Sequence, residues 1–203
     1  MQLMHRWADR NLSRLELAVS LTIILIFIGA FVRHMNVVMA RAEEYTVEST
    51  ITTLNSTLKH WAAVAAMTGD HDTLARLVSG NPFNLLQAGD DVLERLISRG
   101  AKVVSASRYA PVLPSANYAG VTADASGDDM TAGKWYYDVS LGALVYRVRN
   151  SGNFSTALPG PARIRVRVAV HYDDVDGDGR FEAGTDRFIS IGLERLEAYE
   201  WKT

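Results

Sequence analysis

The residues best suited to chemistry lie near the end of the chain, in Asp174-Val175-Asp176-Gly177-Asp178-Gly179-Arg180-Phe181-Glu182, followed by Asp186. Hard calcium takes several oxygen ligands, and alternate aspartates on a tightly turning loop can converge on one point. Asp174, Asp176 and Asp178 would supply carboxylates, Arg180 its backbone carbonyl, and Glu182 a ligand bound directly or through water. Gly179 permits the sharp turn. Thr185 stands at the twelfth loop position, where an EF-hand carries glutamate, so Asp186 has to close the site. Strand patterns flank the loop on both sides, which makes it a calcium-binding hairpin loop rather than an EF-hand. Five crowded carboxylates repel one another, and a divalent ion relieves that repulsion. The ion's role would be structural, pinning the turn between the last two strands. The alternative is an acidic, glycine-rich turn that binds nothing.

The second residue of interest is Glu16, because of where it sits. It lies just inside the start of Leu12–Val32, LSRLELAVSLTIILIFIGAFV, and no charge follows it until Arg33. At about 1.5 Å per residue this run matches a bilayer core of about 30 Å. A cleaved signal peptide is the competing reading. The run is longer than a signal core, and no small-residue cleavage pattern follows it, so an anchor is the better reading. An ionisable residue at the edge of a span is costly and calls for a partner, unless it rests at headgroup level. Arg6, Arg10 and Arg14 precede the span, whereas Arg33 and Arg41 follow it more sparsely. The positive-inside rule then predicts a cytoplasmic N-terminus and an exported C-terminal domain.

Little else suggests catalysis, and the chain is read as a non-enzyme. His5, His34, His60, His71 and His171 lack metal-ligand spacing among themselves. No serine sits in a nucleophile elbow and no glycine loop cradles phosphate. Trp135, Tyr136, Tyr137 and Tyr146 read as hairpin packing rather than a carbohydrate platform. With no cysteine in 203 residues, disulfides and thiolate metal sites are excluded. A formal net charge of −2 leaves no footprint for nucleic acid.

The elements that position these residues follow from periodicity. Val47, Ile51, Leu54, Leu58, Trp61 and Ala65 recur at spacings of three and four, one apolar face of a helix, with Glu43, Glu44, Glu48, Asn55 and Lys59 on other faces. Gly69 supplies the stop. A nearly continuous helix therefore runs from about Leu12 to Met67, the first half in lipid and the second against a globular domain. Asp70 or Asp72 caps a short helix through Leu74, Leu77 and Val78, closed by Gly80. Asn81-Pro82 marks another start, and helical pattern continues through Leu85, Leu86, Leu93, Leu96 and Ile97 to Gly100. Tyr109–Gly133 reads as surface loop, with Asp124, Asp128 and Asp129 solvated. Strands are predicted at 134–138, 143–149, 163–170 and 188–193, giving a four-stranded antiparallel sheet laid on the helix. The organisation is a basic leader 1–11, a transmembrane segment 12–33, the outer half of the helix 34–68 and a globular domain 69–203.

The segment Ser13-Arg14-Leu15-Glu16-Leu17 before an apolar helix resembles the start of a type IV pilin or type II secretion pseudopilin. The hairpin Trp135-Tyr136-Tyr137-Asp138…Gly142…Leu144-Val145-Tyr146-Arg147-Val148 is similar to the globular part of accessory pilin-like proteins of mannose-sensitive-haemagglutinin-type (MSHA) pilus systems. The resemblance implies an α+β, lollipop-shaped subunit held in the bacterial inner membrane, its domain in the periplasm. Its partners would be other pilin-like subunits and the assembly machinery. A prepilin peptidase would cut between Asn11 and Leu12 and the new amine would be methylated. Glu16 would pair with such an amine in the filament, and calcium near the C-terminus has precedent in the family. The family carries glycine before the cut and phenylalanine or methionine after it, where this chain has Asn11 and Leu12. A non-polymerising, membrane-anchored periplasmic accessory or binding protein is the alternative.

Overall fold

In a computed structural model of the chain, residues 2–83, 117–127 and 129–202 are described, with side chains from Arg14 onward. The helical pattern expected from Leu85 to Gly100, the side chains of Asn11 and Leu12, and Asp128 lie outside the described residues.

Helix α1 runs unbroken over Gln2–Thr68. It begins earlier than expected: the stretch read as a patternless leader is helical too. No proline interrupts it, and its residues are ordinary helix formers. The helix stops at Gly69, whose φ of +66° is the left-handed conformation, and the Asp70 N–H closes onto the Ala65 carbonyl at 2.9 Å. Asp70, rather than Asp72, caps helix α2 (His71–Ser79), accepting from the Thr73 N–H at 3.2 Å and the Thr73 hydroxyl at 2.8 Å.

Among the described residues seven strands follow: β1 (Tyr118–Thr122), β2 (Trp135–Asp138), β3 (Ala143–Arg147), β4 (Phe154–Thr156), β5 (Arg163–Asp173), β6 (Arg187–Arg195) and β7 (Tyr199–Trp201). The main sheet has five strands in the order β1-β2-β3-β5-β6, and β4 pairs with β7 in a small second sheet. The four expected strands are present and antiparallel, as β2, β3, β5 and β6. The fifth, β1, is parallel to β2 and falls where the sequence reads as loop. Its Ala119-Gly120 core carries little strand signal, and Tyr118 holds it instead. That ring stacks on Phe83 at 4.6 Å, and its hydroxyl accepts from Asn81 Nδ2 at 2.6 Å. The architecture is thus α+β: one long N-terminal helix and a small, mainly antiparallel sheet domain.

Two clusters bind helix to domain. Val47 and Leu54 pack with Trp135, Leu144, Tyr146, Ile164 and Val166. Farther along, Leu58, Trp61, Ala62 and Ala65 meet Leu74 and Leu77 of α2 and Ile191 of β6. The face predicted from spacing is therefore the buried one. Glycine at 192 brings β6 close to α1, since a Cβ there would stand 3.0 Å from Asn55 Oδ1. Asn55 uses that approach to accept from the Leu193 N–H at 3.0 Å, satisfying a donor of the strand.

The crossover from β1 to β2 is tied down by a buried carboxylate. Asp138 accepts from the Ala125 N–H at 2.7 Å, the Ser140 hydroxyl at 2.7 Å and the Leu141 N–H at 3.1 Å. Burial pushes this carboxyl up, but these hydrogen bonds outweigh burial and hold it below the usual carboxylate range. Its contribution to stability is therefore present above the unfolded aspartate value of about 3.9 and is lost as pH falls through the lower folded value. Asp138→Asn should cost about 1–3 kcal/mol at neutral pH. It should also flatten the loss of stability below about pH 4 in denaturant titrations run at stepped pH.

Candidate functional site

The acidic loop joins β5 to β6, as expected, and is held by its own backbone. Asp174 accepts from the Gly177 N–H at 2.7 Å through Oδ1 and from the Gly179 N–H at 2.8 Å through Oδ2. These amides, Gly179 foremost, hold its carboxyl below the usual range. Gly177 and Gly179 have φ of +79° and +75°, which glycine alone adopts without cost. Asp186 is buried and accepts from the Val175 and Glu182 N–H groups at 2.9 and 2.8 Å, clamping the two ends of the loop together.

Of the five expected carboxylate ligands, three converge. Carboxylate oxygens of Asp174, Asp176 and Asp186 lie within 4.8 Å of one another. Asp178 and Glu182 stand outside that group. Asp178 instead accepts from the Arg180 N–H at 2.7 Å, and Arg180 and Glu182 are exposed. Three hard anionic oxygens suit calcium in kind and fall short of its six to eight ligands in number. Backbone carbonyls and water would have to complete the shell, with Asp174, Asp176 and Asp186 as the residues that hold the ion. Behind the loop, Phe181 lies against Tyr172 at 5.3 Å and Phe188 at 6.2 Å, and Gly184 faces the His71 ring of α2. The loop is thus seated at the end of the domain where α1 stops.

At the opposite end, the Leu15–Val32 side chains of α1 are exposed, Leu17 at 71% and Phe27 at 70%, and Glu16 is exposed at their head. This part of α1 is long and apolar enough to cross a membrane.

Between these ends lies a site that the sequence reading placed on the wrong face. Glu43 is buried, not outward. Its Oε1 accepts from the Tyr146 hydroxyl at 2.9 Å and the Arg149 N–H at 2.6 Å. Its Oε2 accepts from the Asn150 N–H at 2.9 Å and Asn150 Nδ2 at 2.7 Å. Burial first, and then the neighbouring Glu43 carboxylate, push the Tyr146 hydroxyl well above its ordinary value. Glu48 does similar work one face over, accepting from the Tyr199 hydroxyl at 2.6 Å and from Arg195 at 2.8 Å. The signal for Glu43 was its place in the stripe: it falls between Ala40 and Val47, three and four residues from two buried positions.

No family model, curated protein or solved structure matches the chain.

Proposed function

We propose that the chain is a structural or assembly subunit of a type IV pilus or type II secretion pseudopilus, anchored in the inner membrane with a calcium-stabilised domain in the periplasm. The observation that carries this reading is one uninterrupted helix that is bare and apolar over Leu17–Val32, with Glu16 heading that run, and docked on a β-sheet domain from Ala40 onward. The bare half suits bundling with like helices in lipid. The role is assembly rather than catalysis, with other pilin-like subunits, the assembly machinery and a prepilin peptidase as partners. A second reading, an uncleaved accessory protein of the same shape, draws on Asn11 standing where the family has glycine.

The N-terminal mass of protein purified from its own membranes separates the two. A chain starting at methylated Leu12 is the expected result for a filament subunit. A chain starting at Met1 would overturn processing and leave the accessory role. The metal assignment has its own test, calcium titration of the purified full chain in detergent. Calcium should raise the melting temperature by several degrees, and Asp174→Asn with Asp176→Asn should remove the rise. An unchanged melting curve at millimolar calcium would leave the loop a plain acidic turn.

A further inference from the structure

The helix bears not only on which stretch of the chain would enter lipid but also on how close the domain then stands to the bilayer. The apolar run ends at Val32, and Asn36 comes four residues later, about 6 Å farther along the axis. At this level Asn153 Nδ2 donates to the Asn36 carbonyl at 3.4 Å, and the Asn153 carbonyl accepts from the Lys202 N–H at 2.8 Å. The turn Ser151–Asn153 begins beside Asn150, which is fastened to Glu43. The Asn153 tip of the domain therefore lies within the headgroup layer of a membrane spanned by Leu12–Val32, since bilayer interfaces add several ångströms on each side of the hydrocarbon core, while Arg149 and Asn150, at the level of Glu43, stand about 10 Å farther out.

The exposed charges carried on this side are basic but for Glu200. Arg33 ends the span, Arg149 leads into the turn, and Lys202 follows β7. Glu43, the acid at this end of the helix face, is buried and engaged by four hydrogen bonds. Glu200, opposite Ser155 in the β4–β7 ladder, is the acid that opposes them, two residues back along the strand from Lys202. A basic group close to an anionic membrane surface is attracted to it, within about a Debye length.

We infer that the end of the domain formed by Ser151–Asn153 and Lys202, together with Arg33, rests on the membrane and takes the phosphate headgroups of anionic phospholipid. The inference rests on the anchoring part of the proposed function and not on filament formation. Contact there holds the domain upright and keeps the acidic loop, which abuts His71, on the order of 50 Å away along α1.

The absence of cysteine makes the test direct, because one introduced cysteine is the only labelling site. Full-length protein carrying a fluorophore at Ser151→Cys, or at Val175→Cys as the distant reference, is reconstituted into vesicles containing a headgroup-quencher lipid. The vesicles are phosphatidylcholine alone or phosphatidylcholine with one third phosphatidylglycerol. Quenching at Ser151→Cys should exceed that at Val175→Cys at least threefold in the anionic vesicles. It should fall by half or more in neutral vesicles, and likewise when Lys202→Gln is introduced. Equal quenching at the two positions, or no response to lipid charge or to Lys202→Gln, overturns the headgroup contact while leaving the anchor in place. Protein that fails to float with the vesicles overturns the anchor itself, and the contact with it.

Discussion

Replacing Glu43 with alanine should loosen the domain from the helix, at a cost of about 3–5 kcal/mol. The carboxylate gathers the Tyr146 hydroxyl from β3, and two backbone N–H groups and the Asn150 amide from the chain that follows it. Truncation leaves all four donors facing a cavity, and each buried unsatisfied group costs about 1–3 kcal/mol before any relaxation. The sum is capped because water can enter and rescue part of it. For a chain of this size the melting temperature should fall by roughly 10 °C, read by tryptophan fluorescence of the full chain in detergent. Glu43→Gln keeps one acceptor oxygen and should lose about half as much. Tyr146→Phe removes a single donor and should cost about 1 kcal/mol. A double-mutant cycle between Glu43 and Tyr146 should show coupling, since they share one hydrogen bond at 2.9 Å. A melting temperature unchanged in Glu43→Ala would mean that the apolar clusters alone hold the helix.

Glu16→Ala has the largest expected effect on function. An ionised side chain near the edge of a span costs a few kcal/mol when it meets lipid alone, and less when a cation meets it. On the proposed reading that cation is the N-terminal amine of a neighbouring subunit, and the pairing sets the register of assembly. Alanine removes the cost as well as the pairing. The variant should therefore insert in the membrane as well as the parent chain, while its recovery in sheared filaments or pseudopili drops by at least tenfold. Fractionation gives the first readout and immunoblotting of the sheared material the second. Normal incorporation of Glu16→Ala would sink the assignment of that residue. Glu16→Asp, which keeps the charge on a shorter stem, should recover part of the assembly.

Much of the fold was legible because helix and strand periods are written in the apolar residues. Val47, Leu54, Leu58, Trp61 and Ala65 declare one face, and that face is buried. The β2–β3 hairpin declares itself through Gly142 and the aromatic and branched residues on either side. What escaped notice depends on single polar contacts across long stretches of chain. Glu43 looks like a surface residue until Arg149 and Asn150, more than one hundred positions later, bring their N–H groups to it. Strand β1 is held by Tyr118 against Asn81 and Phe83, a tertiary choice that local propensity cannot anticipate. The acidic loop was visible in composition, but the share of its carboxylates that converge was not. Asp178 turned to its own backbone, which aspartate in turns readily does.

The unequal dressing of α1 has a mechanical consequence. From Ala40 to Ala65 the helix is splinted, because bending it there would tear buried side chains from the sheet. From Leu15 to Met35 every residue is exposed, and among the described residues Gly29 has no neighbour inside 4 Å and is the least substituted point. Compliance is therefore concentrated in the bare half. A force applied along α1 would flex the bare stem first and carry the domain, loop and all, as a single stiff block.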